Sequence, residues 1–226
     1  MRWVLSVLLS VLMGFSAGSA ADRLKVEPDG ETGQTIGWAA YRAGDLPLAL
    51  QKFQEAAQRN DRVAQFNLAV MLIGGEGGAA DPAAGLGWLQ KSAQNGFARA
   101  QYALGLMHEN GEGVARSQTD ATAWFRKAAE QGYRDAQVGL ATQYFLGRGA
   151  PRDYAEAARW YERAAEQGDH AAAYIVASQY ENGDGVEKDL LRAYFWYSFA
   201  AGSGDQVAVL KAREVRDRMS APPAPR

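Results

Sequence analysis

The chain has 226 residues, with 24 Lys plus Arg against 26 Asp plus Glu, a formal net charge of −2 and no cysteine. This near-neutral balance lacks the basic footprint that binding to a nucleic-acid backbone requires, and it argues equally against adhesion to anionic lipid. Without disulfides the fold must be held by packing, and a chain of this length can bury enough surface to do so.

Residues 1–20 have the layout of a secretory signal peptide. Arg2 gives a basic start, Val4 to Phe15 is an apolar run, and small residues follow, with Gly18 and Ala20 placed for cleavage after Ala20. The apolar run is shorter than the ~20 residues that span a bilayer. The expectation is therefore a periplasmic or secreted protein, cleaved near Ala20, with no stable membrane insertion afterwards. Residues 21–34 are polar and punctuated and read as a flexible leader.

From residue 35 the pattern becomes helical. Trp38 to Tyr41, a Gly44-Asp45 turn, then Ala49, Phe53, Ala56 and Ala57 predict a tight helical hairpin ending at Asn60. Asn tolerates positive φ better than most residues and suits that position.

A period of 36 residues then takes over. It relates Trp88, Trp124, Trp160 and Trp196. It also relates Gly75, Gly111, Gly147 and Gly183, then Gly77, Gly113, Gly149 and Gly185, and then Gly96, Gly132, Gly168 and Gly204. A repeat of this length is the signature of a solenoid. Each cycle carries two apolar helical segments. In the clearest cycle they run from Ala100 to about His108 and from about Thr119 to Ala129, with a glycine loop between them. Asp81, Ser117, Asp153 and Asp189 share one repeat position and are placed to cap the second helix. Small residues recur at 64, 100, 136 and 172, the pairs near the second helix's end (Ala128 and Ala129, Ala164 and Ala165, Ala200 and Ala201) permit close helix approach, and the tryptophans are expected to fill the groove between the helices of a repeat.

Asp205 can cap a last helix from Gln206 to Met219. Its apolar stripe (Ala208, Ala212, Val215 and Met219) and mostly polar outer face read as the terminal cap that an open-ended array needs. Residues 221–226 read as a loose tail. The expected organisation is signal peptide 1–20, leader 21–34, repeat solenoid with cap 35–220 and tail 221–226.

The segment AQYALGLMHENGEGVARSQTDATAWFRKAAEQG, Ala100 to Gly132, resembles a Sel-one-like repeat, a relative of the tetratricopeptide repeat with a longer internal loop. Ala136 to Gly168 and Ala172 to Gly204 are further strong copies, Ala64 to Gly96 is a weaker one, and Thr35 to Asn60 looks more like a tetratricopeptide unit. The resemblance implies an all-α fold, a right-handed superhelical solenoid of antiparallel helix hairpins. It also implies an adaptor function. Exported bacterial members include inhibitors of membrane sensor kinases. Others are cysteine-rich and linked to penicillin binding or weak β-lactam hydrolysis, and this chain departs from those in having no cysteine.

Catalysis needs a constellation of groups, and none stands out. His108 and His170 fall at packing or solvent positions, and no metal-ligand or nucleophile motif occurs. Gly74 to Gly78 lacks the Lys-Ser/Thr of a phosphate loop and aligns with the later structural loops. No enzyme activity, cofactor or metal is expected. A protein or peptide partner is, carried by first-helix residues that vary between repeats: Asn67, Met71, Met107, Gln143, Tyr174 and Gln179, with Gln65, Gln101 and Gln137 as amide ligands for a partner backbone. Met71, Met107, Gln143 and Gln179 share one repeat position. The reading is an interaction scaffold or regulator in the bacterial envelope, acting on a membrane signalling protein. The alternative is a cell-wall-related hydrolase or carbohydrate-binding protein on the same scaffold.

Overall fold

The computed structural model describes residues 24–27 and 36–220. The segments expected to be a signal peptide (1–20) and a tail (221–226), and the rest of the expected leader, lie outside the described residues. All regular structure among the described residues is α-helix: α1 Ile36–Arg42, α2 Leu46–Gln58, α3 Arg62–Gly74, α4 Pro82–Gln94, α5 Ala98–Asn110, α6 Gln118–Glu130, α7 Arg134–Leu146, α8 Tyr154–Glu166, α9 His170–Asn182, α10 Leu190–Ala201 and α11 Gln206–Ser220. They form two compact units, α1–α6 up to Tyr133 and α7–α11 from Arg134. Each unit is a run of antiparallel helix pairs, the solenoid construction that the repeat predicts, and α11 closes the second by packing on α10.

The helices run further than the sequence marks suggest, because the αL residue that ends each first helix is the glycine and not the residue before it. Gly75, Gly111 and Gly183 have φ of 69°, 79° and 83°, and each gives its N–H to the carbonyl four residues back. Asn60 is the one described non-glycine with positive φ, at 66°. The expected caps are in place. Asp81, Ser117, Asp153 and Asp189 each accept from a backbone N–H of the following first turn, and Asp205 accepts from Val207 N–H at 2.8 Å.

The loop between the two helices of a repeat is fixed at both ends. Its last residue donates back to the end of the first helix: Asp81 to Leu72 O, Ser117 to His108 O, Asp153 to Tyr144 O and Asp189 to Tyr180 O. The second glycine of the loop has a further task. A Cβ at Gly77 would sit 2.4 Å from Leu46 O, and one at Gly185 would sit 2.3 Å from the Tyr154 carbonyl carbon. Both loops therefore rest on the start of the second helix of the preceding hairpin, at a distance only glycine permits.

The core corrects one packing expectation. The deepest position is the residue after each tryptophan: Leu89, Phe125, Tyr161 and Tyr197 are essentially inaccessible. The tryptophans are covered less evenly: Trp160 and Trp196 are buried, as the groove-filling expectation has it, while Trp88 and Trp124 are part-exposed. Lys91, Lys127 and Arg163 sit 4.1, 4.2 and 4.6 Å over the rings of Trp88, Trp124 and Trp160. A large amphipathic ring capped by a cation suits a boundary better than a dry core. In the last repeat Phe199 takes the cation's place and meets Trp196 edge-on.

Candidate functional site

Eight of the nine residues singled out from the sequence are buried, and Tyr174 alone is part-exposed. The buried amides have work inside the fold. Gln65 Nε2 donates to Ala57 O at 3.2 Å and Gln101 Nε2 to Ala93 O at 3.0 Å, each tying a first helix to the end of the helix before it. Their Oε1 atoms accept in turn from Asn95 Nδ2 at 2.9 Å and Gln131 Nε2 at 2.7 Å, and Gln137 Oε1 accepts from Gln167 Nε2 at 2.7 Å. These amide pairs join a repeat's first helix to the turn after its second. The signal was present in the sequence, since Asn95, Gln131 and Gln167 keep the same 36-residue period as their partners.

Met71, Met107, Gln143 and Gln179 are all buried, and Met107 and Gln179 lie beneath their own loops. Met107 Cε lies 3.4 Å from where a Gly113 Cβ would be. Gln179 Nε2 donates to Tyr154 O at 3.0 Å and to Asp184 O at 3.2 Å, holding the loop to the preceding helix. Tyr174 meets Tyr197 edge-on at 5.1 Å. Both histidines are engaged locally. His170 Nδ1 is 3.0 Å from Phe199 O with the rings stacked, and His108 Nδ1 is 3.4 Å from Ala115 O.

Asn67 differs from the rest, because its amide faces main chain from outside the repeats. Nδ2 donates to Glu27 O and Oδ1 accepts from Glu27 N–H, both at 2.7 Å. Arg99 pairs with the Glu27 carboxylate, and Val26 is 7% exposed. Within the segment read as a flexible leader, these residues are held against α3 and α5.

The surface carries a second departure from the period. Leu191 and Phe195, one turn apart on α10, are 68% and 58% exposed. The equivalent residues are Ala155 and Arg159 in α8, Thr119 and Ala123 in α6, and Ala83 and Gly87 in α4. Only the last loop-containing repeat presents large apolar side chains there. On the same helix Arg192 donates to Tyr180 Oη at 2.8 Å and lies 3.6 Å from Asp189, lining a 460 Å³ cleft with Val186, Glu187 and Lys188.

Among the described residues, no group of three or more His, Cys, Asp or Glu side chains could hold a metal ion. No described helix is long and apolar enough to cross a membrane. Burial pushes the Tyr161 and Tyr197 hydroxyls well above the ordinary phenol range, the Glu181 charge adding to the effect at Tyr197. Their partners, Thr142 at 2.9 Å and Glu181 at 2.9 Å, make them structural hydrogen bonds.

No curated protein sequence matches the chain. Among solved structures it is similar to a Sel1 repeat protein from Oxalobacter formigenes, at 33% identity and a TM-score of 0.73, over 79% of this chain and 73% of that one. It is also similar to c5321, a protective antigen present in uropathogenic Escherichia coli strains and displaying an SLR fold. That match is 32% identical with a TM-score of 0.71, and covers 92% of this chain but only 43% of the antigen's length. The Sel1 repeat model matches residues 62–97, 98–133, 134–169 and 170–205, in phase with the helix pairs α3–α4, α5–α6, α7–α8 and α9–α10. The chain belongs to the Sel1 repeat family.

Proposed function

We propose that this protein is a non-enzymatic interaction scaffold of the bacterial envelope, whose partner is a membrane signalling protein and whose principal contact is the Leu191–Phe195 ridge. The observation that carries the reading is that ridge. The residues that keep the repeat period are consumed by packing, capping and loop closure. Leu191 and Phe195 break the period in the direction that costs solubility, placing large apolar side chains in water. Such patches mark contact surfaces, where aromatic anchors supply much of the binding energy. Burial of Gln65, Met71, Gln101, Met107, Gln137, Gln143 and Gln179 moves the proposed contact from those side chains to exposed ones, with Tyr174 kept. The signal-like first twenty residues support an exported location, as does similarity to a protein described as a protective antigen.

A photocrosslinking amino acid at position 195, in the full chain expressed in its bacterial host, tests this. The expected result is one dominant crosslinked membrane protein, lost when Leu191 is changed to Ser. Absence of any protein adduct, together with retention on purified cell-wall polymer, overturns the reading in favour of a cell-wall-binding protein.

A further inference from the structure

Asn67 makes both of its hydrogen bonds to a single residue. The N–H and C=O of one residue face the same way only where the backbone is extended, so the amide treats Glu27 as a neighbouring β-strand would. The pairing takes place where Asn67 is wholly buried, and a buried amide requires both partners. Arg99 reads the side chain of the same residue, and its guanidinium also lies 5.6 Å over the Phe66 ring. Val26 supplies a buried apolar side chain next to it.

None of these devices belongs to the repeat. The Asn67 position is Ala103, Gly139 and Ile175 in later repeats, and the Arg99 position is Val63, Asp135 and Ala171. An amide for the main chain, a guanidinium for a carboxylate and an apolar seat together recognise an extended peptide with an apolar residue followed by an acidic one.

We infer that α3 and α5 form a binding site for such a segment of a partner protein, and that Leu24–Glu27 are its tethered occupant, plugging the site until the partner's segment displaces them. The inference rests on the interaction-scaffold reading but names a different surface from the α10 ridge. An occupant carried on the same chain as its site meets it at an effective concentration that can reach the millimolar range. The apparent affinity for a free peptide is then reduced by the fraction of time the plug is seated.

The test compares the full chain with a variant carrying Val26→Asp and Glu27→Lys, using a blocked fluorescent peptide of residues 22–29 (Asp-Arg-Leu-Lys-Val-Glu-Pro-Asp) and anisotropy. The variant should bind the peptide at least tenfold more tightly than the unaltered chain. Adding Arg99→Glu should abolish that gain and shift preference to a peptide with Lys in place of Glu. Arg99 is part-exposed, so this change leaves the helix core intact, and far-ultraviolet dichroism checks that it does. Equal binding by the unaltered and plug-altered chains overturns the inference, as does indifference of the Arg99→Glu chain to peptide charge. A dimer of the unaltered chain that dissociates in the plug-altered variant also overturns it, since the segment would then be seated in a second copy. These failures leave crosslinking at position 195 unaffected.

Discussion

At the scale of single residues, neighbours in the period have unequal weight. Phe125 is fully buried and Trp124 is not, so Phe125→Ala should cost about 3–5 kcal/mol and Trp124→Ala about half that, by chemical denaturation. The glycines divide similarly. Gly132 has φ of 84° and open space around it, so alanine there meets only backbone strain, about 1 kcal/mol. At Gly185 the same change drives a methyl into the Tyr154–Ala155 backbone as well, and the loss of melting temperature should be at least twice that of Gly132→Ala. Caps, αL positions and repeat boundaries were legible in the sequence because each is decided within a few residues, as at Asn60 and Asp153. The role of Asn67 was not, and that of Gln101 showed only in the period it shares with Gln131. A polar residue on a first helix looks the same whether it faces solvent or an acceptor on another element, and their partners lie 30 and 40 residues away.

At the scale of elements, the amide pairs and the terminal helix set how strongly neighbours are joined. A double-mutant cycle on Gln101 and Gln131, each changed to Ala, should give a coupling of about 1 kcal/mol, as expected for a part-buried neutral hydrogen bond. The last repeat has Ala173 and Ser203 at these positions, and there the join is made differently. Glu181, on α9, accepts from Tyr197 Oη and pairs with Arg218 and Lys211 of α11. Glu181→Ala should therefore raise amide hydrogen exchange in α11 by about tenfold or more while α7 is unchanged. An increase shared equally by all helices would show that α11 is not anchored there. The apolar stripe of α11 was readable from spacing, with Ala208, Ala212 and Val215 buried as expected, but Met219 is exposed. The stripe ends one turn before the helix does because the ion pairs, invisible to periodicity, take over.

At the scale of the whole molecule, ionisation sets an upper limit on the stable pH range. The Tyr161 and Tyr197 hydroxyls have folded-state pKa values raised above the unfolded value near 10. Below that value both states hold the proton and the full stability is present. Above it the unfolded state releases protons that the folded state keeps, so stability falls as pH rises. Ultraviolet titration of the ten tyrosines should show two that ionise only with loss of helical dichroism. Simple titration of all ten at fixed helicity would contradict the burial of these two.

The seating of two loops on the hairpins that precede them has a consequence for how the chain is made. Gly77 rests on Leu46 and Pro47, and Gly185 on Tyr154 and Ala155. In both cases the receiving surface is synthesised first, and the loop that needs it emerges later. A nascent chain, or one threading through a translocation pore amino terminus first, can settle each of these loops as soon as it appears, without waiting for downstream sequence.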